Sequence, residues 1–290
     1  MTLNKQIKIS VECVLNEKII ETQSVSGGCI NDAKIIVTEK NNRFFLKNNS
    51  NQFPDFFYKE ANGLNEIEKS KTIRVPSVIT VTDVYILLEY IASSSKSKQF
   101  WEDFGRRFAQ MHKYSSNVFG FYEDNYIGSN PQFNNTAENE KQCWTEFYWN
   151  KRLLYQFHLA EKNGYSDYDL RNSFKLLESR IDKILNQENE KPSLLHGDLW
   201  SGNFIADDRG NACVIDPAVY YGNREADLAM TKLFGGFDEK FYKSYNEEYP
   251  FKDGYEYREN IYKLYHVLNH LNLFGVSYKS NAINLISYYF

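Results

Sequence analysis

One segment of the sequence decides the fold: Leu194-Leu195-His196-Gly197-Asp198-Leu199-Trp200-Ser201-Gly202-Asn203. It places Asp198 and Asn203 five positions apart. The short apolar segments 204–205 and 212–215 follow on either side of a polar turn, and this pattern predicts a hairpin. Asp216 comes directly after the second segment. The sequence therefore predicts that the hairpin returns Asp216 to the neighbourhood of Asn203.

These three polar side chains suit the transfer of a phosphoryl group from ATP to an alcohol. That reaction needs a carboxylate that orients the attacking hydroxyl group, and Asp198 is the candidate. It also needs hard oxygen ligands for Mg²⁺, which Asn203 and Asp216 provide. The pattern H-x-D-x-x-x-x-N, followed by a metal-binding Asp, is typical of protein-kinase-like catalytic loops. A single loop Asp more often caps a helix, but the three residues at this spacing favour catalysis.

The composition predicts a folded, cytoplasmic protein that binds neither nucleic acid nor membrane. A chain of 290 residues can bury a full core, in one large domain or in two closely joined lobes. The net charge of −4 argues against a broad phosphate-binding surface, and an aromatic content of 16% excludes wholesale disorder. The sequence contains no run of about 18 apolar residues, so we expect no membrane-spanning helix. The start of the chain, Met1 to Gln6, lacks the shape of a secretory signal.

The order of strand and helix patterns predicts an α+β, bilobal fold of the protein-kinase-like type. Residues 1–91 are expected to form a small antiparallel β-sheet lobe that binds the nucleotide, and residues 92–290 a larger helical lobe for catalysis and substrate binding. In the first lobe we expect strands at 19–26, 32–38, 43–47, 78–81 and 84–89, and helices at 4–15 and 53–69, the latter with Pro54 in its first turn. In the second lobe we expect helices at 101–114, 139–162, 168–185 and from 225 onward.

Lys47 ends a predicted strand, where a lysine is usually solvated. In the small lobe of a kinase, however, a strand lysine contacts the α- and β-phosphates of ATP and pairs with a glutamate of a helix. Glu60 follows thirteen residues later in the predicted helix 53–69 and is the candidate partner. Glu66 and Glu68 of the same helix are competing candidates.

Two glycines precede Lys47 at the place where a phosphate-covering loop would lie. Gly27 and Gly28 fall between two predicted strands, and they allow backbone N–H groups to approach phosphate oxygens closely. Because the motif is shorter than G-x-G-x-x-G, a plain hairpin turn is the alternative. The thiol of Cys29 comes next and could ionise near basic groups and form a disulfide, which would give a redox-linked dimer. The four cysteines show no C-x-x-C spacing, so we expect free thiols and no zinc site: Cys13, Cys29, Cys143 and Cys213.

Glu89, Tyr90 and Ile91 end the predicted first lobe and are candidates for the hinge that binds adenine. Exposed backbone groups at Glu89 and Ile91 would pair with the base, and the side chains would contribute little. An ordinary strand end is the alternative. The segments on either side favour the hinge.

Three further residues near the decisive segment have two interpretations each. His196 is expected to pack beneath the loop backbone and hold Asp198 rather than to transfer protons. Asp227 starts a predicted helix, where it is either an ordinary N-terminal carboxylate or a buried anchor for the backbone N–H groups of the catalytic loop. Trp200 is either a flat surface for the apolar face of a sugar or a wedge that holds the loop.

Several segments resemble the fructosamine/ketosamine kinase family, whose relatives are the aminoglycoside phosphotransferases and the choline kinases. Trp200 and the segment 126–128 distinguish this family from other small-molecule kinases. The resemblance implies a bilobal protein-kinase-like fold, ATP and Mg²⁺ as cofactors, and phosphorylation of the sugar 3-hydroxyl of ketosamines. These adducts of glucose or ribose with lysine side chains or free amines become unstable once phosphorylated, so the reaction serves deglycation. The matching segments are 27–31, 119–121, 124–129, 196–203, 215–222 and 224–230.

By position, the resemblance makes Asp198 the catalytic residue, Asn203 and Asp216 the Mg²⁺ ligands, and Lys47 with Glu60 the phosphate clamp. Glu89 to Ile91 would bind adenine. One alternative keeps the chemistry but changes the acceptor to an aminoglycoside, choline or a homoserine-like metabolite. Another is a pseudokinase scaffold that only binds nucleotide, but a scaffold has no need of all these catalytic residues.

Overall fold

The computed structural model describes residues 3–25, 32–49, 53–135, 138–186 and 190–290. The chain forms two compact units. One contains the residues up to Phe100 together with Ile205–Asp216, and the other contains Trp101–Phe204 together with Pro217–Phe290. The predicted α+β class is confirmed. The functional division between residues 91 and 92 stays a prediction.

Helices and strands are labelled in chain order. A π-helical turn, Trp149–Leu154, and a 3-10 turn, Val276–Tyr278, lie between labelled helices. None of the described helices combines the length and the apolar character needed to cross a bilayer. The labelled elements are α1 Lys5–Leu15, β1 Ile19–Val25, β2 Asp32–Thr38, β3 Arg43–Asn48, α2 Phe56–Lys69, β4 Val78–Val81, β5 Tyr85–Glu89, α3 Phe100–Lys113, β6 Asn125–Ile127, β7 Asn130–Gln132, α4 Glu138–Gln142, α5 Trp144–Tyr148, α6 Tyr155–Lys162, α7 Tyr168–Glu178, α8 Ile181–Leu185, β8 Ser193–Leu195, β9 Phe204–Ala206, β10 Ala212–Val214, β11 Tyr220–Gly222, α9 Glu225–Leu233, α10 Glu239–Glu248, α11 Tyr255–Phe274 and α12 Lys279–Ser287.

The first unit is built on an antiparallel sheet with the strand order β1-β2-β3-β5-β4. Lys47 lies in the central strand β3, where it pairs with Ala33 of β2 and Ile86 of β5. Successive side chains of a strand point to opposite faces of the sheet. Leu46 packs against α1, so its neighbour Lys47 points to the other face. The apolar cluster on the α1 face consists of Ile7, Val11, Ile19, Ile36, Leu46, Tyr85 and Leu87.

The helix predicted from residue 53 begins only at Phe56. Asp55 has a left-handed backbone with φ of 54°, which a right-handed helix cannot include. Pro54 therefore lies before α2 and not in its first turn, and that part of the prediction is wrong. The apolar stripe expected of an amphipathic helix is present, with Phe57, Ala61, Leu64 and Ile67 buried.

The hairpin predicted before Asp216 is formed by β9 and β10. In its turn, Asp207 Oδ1 accepts hydrogen bonds from the N–H groups of Arg209 and Asn211, each at 2.9 Å. A short acidic side chain that binds the backbone two residues on is a common way to close a turn. Gly210 follows with φ of 74°, a conformation that glycine adopts without steric cost.

The second unit is organised around α11, which contacts α6, α9 and α12. Side chains are buried around most of its circumference, as expected of a helix at the centre of a helical core. Aromatic rings with polar atoms fill much of this core. Trp144 Nε1 donates a hydrogen bond of 2.9 Å to Tyr262 Oη, so the buried indole N–H is satisfied.

Two predicted helices of this unit are interrupted. The predicted helix 139–162 is divided into α4, α5, the π-helical turn and α6, and the predicted helix 168–185 into α7 and α8. Arg152 in the π-helical turn is fully buried, with its guanidinium 4.1 Å from the centre of the Tyr220 ring. It also donates a hydrogen bond of 2.7 Å to the Phe133 carbonyl. We attribute the irregular turn to these tertiary contacts, which periodicity in the sequence does not reveal.

His266 in α11 makes the stability of the fold sensitive to acid. Burial lowers the pKa of His266 to about 3, and His270 and Arg152 influence it further. The histidine of the unfolded chain takes up a proton near pH 6.5, whereas the folded one stays neutral. Its contribution to stability is therefore complete above pH 6.5 and is lost as the pH falls towards 3. We expect a loss of about 1 kcal/mol between pH 7 and pH 5.5 from this group.

The measurement is urea unfolding of the wild type and of His266→Phe at those two pH values. Phe removes the titrating group and keeps an aromatic ring in the same place. The variant should lose about 1 kcal/mol less than the wild type over this interval, whatever its stability at pH 7. Equal losses in both proteins would show that His266 takes up its proton in the folded state as well.

Candidate active site

The first unit brings together Lys47, Glu60 and Asp216. Lys47 Nζ donates a hydrogen bond of 2.6 Å to Glu60 Oε1 and a second one to Asp216 Oδ1. Glu60 comes from α2, and Asp216 follows the β9–β10 hairpin. The competing candidate Glu66 accepts a hydrogen bond from Lys69 at 2.6 Å instead. The predicted Lys47–Glu60 pair is thus present, and Asp216, predicted separately as a Mg²⁺ ligand, joins it.

Charge holds this cluster together. Burial alone would lower the pKa of Lys47, but the carboxylates of Asp216 and Glu60 outweigh it and raise that pKa above its ordinary value. The ammonium group therefore stays charged at neutral pH. Two carboxylates share one ammonium group, and burial together with the charge of Asp216 raises the pKa of Glu60, so an additional cation beside the pair would relieve the excess negative charge.

Asp216 has an uncommon backbone conformation. Its φ is 56°, in the left-handed region that few residues other than glycine adopt. Aspartate tolerates this region better than most side chains because its short polar group can bind nearby atoms. Residues held in this region are concentrated at functional sites, where the surrounding structure compensates for the strain.

The predicted hinge is tied to the hairpin by Arg74, a residue that sequence analysis did not single out. Arg74 donates hydrogen bonds to Glu89 Oε1 at 2.6 Å and to Asp207 Oδ2 at 2.8 Å. The Glu89 N–H donates to the Ser77 carbonyl at 2.8 Å, so this N–H is not available to adenine. Of the other predicted nucleotide-binding residues, Tyr90 lies beneath the guanidinium of Arg43, Ile91 is buried, and Gly27, Gly28 and Cys29 lie outside the described residues.

In the second unit, Asp227 is buried in the first turn of α9 and binds the backbone of the predicted catalytic loop. Its Oδ2 accepts a hydrogen bond of 2.7 Å from the His196 N–H, and its Oδ1 accepts one of 2.8 Å from the Gly197 N–H. Burial alone would raise the pKa of Asp227, but hydrogen bonds from His112 and the Gly197 N–H lower it. The interpretation of Asp227 as an anchor is confirmed, and the interpretation as an ordinary helix carboxylate is wrong.

His196 and Asn203 hold Asp198 from two sides. His196 is fully buried, and its Nδ1 accepts a hydrogen bond of 3.3 Å from the Asp198 N–H, so its expected structural role is confirmed. Asn203 Nδ2 donates to the Asp198 carbonyl at 2.8 Å and to Asp198 Oδ2 at 3.2 Å. Because the amide nitrogen of Asn203 binds Asp198, its amide oxygen is the atom suited to ligate a cation.

Two glycines shape the loop around these residues. Gly197 has φ of 83°, and a Cβ atom there would lie 2.0 Å from the Ala218 carbonyl oxygen. A Cβ atom on Gly202 would lie 2.4 Å from the indole of Trp200, so glycine lets that ring lie flat against the loop. The ring also meets Phe234 edge to face at a centroid distance of 6.0 Å. Trp200 nevertheless keeps 37% of its surface exposed, which leaves it accessible to a ligand.

Buried amide side chains hold the segment that follows Asp216. Gln132 Nε2 donates a hydrogen bond of 2.9 Å to the Ala218 carbonyl, and Asn125 Nδ2 donates one of 2.8 Å to the Val219 carbonyl. The Ala218 N–H in turn donates to the His196 carbonyl at 2.8 Å. Asn125 belongs to a segment that carried the family resemblance, but its contact with Val219 could not be predicted from the sequence.

Comparisons with known proteins show which family the chain resembles over its length. The model of the family described as fructosamine kinase matches residues 3–290. A chloroplastic protein-ribulosamine 3-kinase from Arabidopsis thaliana is 40% identical over 280 residues, which are 94% of this chain and 83% of that protein. A proposed fructosamine-3-kinase from Thermobifida fusca has a similar structure, with a TM-score of 0.89, 27% identity, and coverage of 99% of both chains.

A macrolide 2′-phosphotransferase type I shares the fold alone, with a TM-score of 0.58 and 12% identity over 99% of this chain and 98% of that one. The fold and the family match define a phosphotransferase of the protein-kinase-like fold that uses ATP. The chain belongs to the fructosamine kinase family. This membership favours the ketosamine interpretation over the aminoglycoside, choline, homoserine and pseudokinase alternatives.

Replacing Lys47 by Met should disable the first cluster. The change keeps the length of the side chain and leaves Glu60 and Asp216 without their shared cation. We expect kcat/KM for ATP to fall by about 100-fold or more, because a fixed cation near developing charge contributes an effect of this size. Lys69→Met is the matched control, since it removes an exposed lysine that pairs with Glu66 of the same helix α2 and should leave kcat/KM close to that of the wild type. Similar losses in both variants would contradict a special role for Lys47.

Replacing Gly197 by Ala should displace the catalytic loop. The new methyl group would collide with the Ala218 carbonyl, so the backbone beside Asp198 must move, and we expect kcat to fall by about 100-fold. Gly164→Ala is the control, because Gly164 has a similar φ of 75° but no heavy atom within 4 Å of the place that the methyl group would occupy. It should lose about 1 kcal/mol of stability and keep its activity. Steady-state kinetics and thermal unfolding of both variants distinguish backbone strain from loss of loop geometry.

Proposed function

We propose that this protein phosphorylates the sugar hydroxyl of ketosamines, the fructosamine or ribulosamine adducts of protein lysines or of small amines, with ATP as the donor. Family membership and the name of the Arabidopsis relative support this substrate class. The observation that carries the proposal is the pair Asp198 and Asn203, joined by a hydrogen bond on a loop whose backbone is bound by buried Asp227. The biological outcome would be deglycation.

Asp198 would be the catalytic residue. Its carboxylate would accept a hydrogen bond from the sugar hydroxyl, orient it towards the γ-phosphorus of ATP, and receive its proton. A bond forms between the sugar oxygen and the γ-phosphorus, the bond from that phosphorus to the bridging oxygen breaks, and ADP leaves. The hydrogen bonds from Asn203 and to His196 fix the loop, so Asp198 needs little reorganisation when the acceptor arrives.

Lys47 would bind the α- and β-phosphates, and Glu60 would keep its ammonium group in place. Residues 1–91 would form the nucleotide-binding lobe, with Gly27, Gly28 and Cys29 over the phosphates and Glu89 to Ile91 beside adenine. Because the Glu89 N–H binds Ser77, other backbone groups of this segment would have to recognise the base. Residues 92–290 would form the catalytic lobe.

Asn203 and Asp216 fit the role of Mg²⁺ ligands. Both supply hard oxygen atoms, and Mg²⁺ in ATP sites is usually held by one or two protein groups together with phosphates and water. The excess negative charge beside Lys47 fits a cation as well. Held by these two residues, Mg²⁺ would supply positive charge that neutralises the charge developing on the phosphates.

Trp200 would contribute to acceptor selection. Its indole is two residues from Asp198, is partly exposed, and is held flat by Gly202. Such a surface packs well against the apolar face of a sugar. The rival role, a wedge that only holds the loop, has support in its contact with Phe234.

The test is ATP consumption with a panel of acceptors: fructosyl-lysine, ribulosyl-lysine, deoxymorpholino-fructose, choline and kanamycin. We expect turnover with the ketosamines and none with choline or kanamycin. Asp198→Asn should lower kcat by about 1,000-fold and leave nucleotide affinity nearly unchanged, because the carboxylate acts on the acceptor. Turnover of only choline or kanamycin would overturn the ketosamine assignment, and an active Asp198→Asn would overturn the role of Asp198.

A further inference from the structure

We propose that His112 is a positioning residue for the catalytic loop, acting as a neutral imidazole that carries its proton on Nε2 and is oriented by Tyr245. The inference rests on the phosphotransferase reaction of the proposed function, but not on which ketosamine is accepted. Among the described residues, the hydrogen-bonding partners of His112 are Asp227 and Tyr245, and Asp198 is not one of them. His112 would act through Asp227.

The imidazole of His112 lies buried between two helices that follow the catalytic loop. His112 is in the last turn of α3 and is 1% exposed. Its Nε2 lies 3.2 Å from Asp227 Oδ2 of α9, and its Nδ1 lies 2.7 Å from Tyr245 Oη of α10. Both ring nitrogens therefore have one partner each, and the partners come from different helices.

The partners fix the position of the proton. An ionised carboxylate only accepts hydrogen bonds, so Nε2 must carry the hydrogen that points to Asp227. Burial lowers the pKa of His112, which favours the neutral ring, so Nδ1 has no hydrogen and accepts one. Tyr245 is the donor to Nδ1, because burial raises the pKa of its phenol and keeps it protonated.

Arg224 fixes the direction of the tyrosine hydroxyl. Its Nη1 lies 3.5 Å from Tyr245 Oη and, as a guanidinium nitrogen, can only donate. The tyrosine oxygen thus accepts a hydrogen bond from Arg224, and its O–H group donates one to His112. Arg224 is held in turn by the carbonyls of Tyr249 at 2.8 Å and Pro250 at 2.6 Å. Arg224 therefore donates to Tyr245, Tyr245 donates to His112, and His112 donates to Asp227.

The end of this chain is the carboxylate that binds the catalytic loop. Asp227 Oδ2 accepts hydrogen bonds from His112 and from the His196 N–H, and Oδ1 accepts from the Gly197 N–H. The hydrogen bond from His112 comes from a side chain, whereas the other two come from the loop itself. Without it, only the loop would determine how the carboxylate is rotated. Asp198 is the next residue after Gly197, so a rotation of Asp227 displaces the catalytic carboxylate.

A simple packing role for His112 makes a different prediction. Its ring lies 4.3 Å from that of Phe108, so a space-filling side chain is the alternative explanation. If packing were the only role, amide side chains of either length would be equally poor substitutes. If the Nε2 hydrogen matters, the position of the substituting N–H group decides the outcome.

Two amide variants separate these explanations. The amide nitrogen of glutamine reaches the position of Nε2, whereas that of asparagine reaches only the position of Nδ1. His112→Asn should lower kcat by about 10- to 100-fold with KM for ATP unchanged, because small displacements of a catalytic group have effects of this size. His112→Gln should recover kcat to within about 3-fold of the wild type. Tyr245→Phe should give a smaller loss of kcat than His112→Asn, again without a change in KM for ATP.

Equal losses of kcat in the Asn and Gln variants, no loss in either, or a parallel rise in KM for ATP would overturn the proposal. Thermal unfolding of each variant identifies loss of folded protein. If His112→Asn does not fold, the proposal is tested by the kinetics of Tyr245→Phe and by the nitrogen-15 spectrum of the histidines of the wild type. The spectrum should show His112, assigned by its absence from His112→Gln, with a protonated Nε2 and an unprotonated Nδ1. The opposite tautomer or an imidazolium would refute the proposed role of His112. A wild-type protein without kinase activity would refute the proposed function alone.

Discussion

The loop from His196 to Asn203 depends on one buried carboxylate. The Asp227 carboxylate accepts hydrogen bonds from the N–H groups of His196, at 2.7 Å, and Gly197, at 2.8 Å, where the loop begins. A loop lacks the regular hydrogen bonds of helices and strands, so its backbone keeps much of its conformational freedom unless other groups bind it. Hydrogen bonds to an ionised group are about twice as strong as those between neutral groups. Asp198 therefore projects from a backbone that is ordered before any substrate arrives.

The loop is also held from the side of the segment that follows Asp216. The Ala218 N–H binds the His196 carbonyl, and Gln132 and Asn125 bind the carbonyls of Ala218 and Val219. Amide side chains suit this position because they satisfy backbone groups without adding charge near Asp198. The close approach of Ala218 to Gly197 explains why a residue with a side chain does not fit there.

The two units contain different groups of candidate site residues. In the first unit, Lys47 and two carboxylates form a charged cluster whose features are common to phosphoryl transfer from ATP in general. In the second unit, Asp198 is two residues from the partly exposed Trp200, whose ring lies flat against the loop because Gly202 has no side chain. Under the proposed function, the first unit would bind the phosphates of ATP, and Trp200 of the second unit would take part in acceptor selection.

The sequence by itself determined the strands of the sheet, the hairpin before Asp216, the pairing candidates Lys47 and Glu60, and the loop from His196 to Asn203. Each of these is encoded by local alternation, turn residues or short spacing, which act between near neighbours in the chain. Only the tertiary structure decided that Asp227 anchors the loop and that His112 and Arg74 take part. It also decided where the predicted helix 139–162 is interrupted. These features arise from buried polar side chains that meet across tens of residues, and no periodic pattern specifies which partner such a group will find.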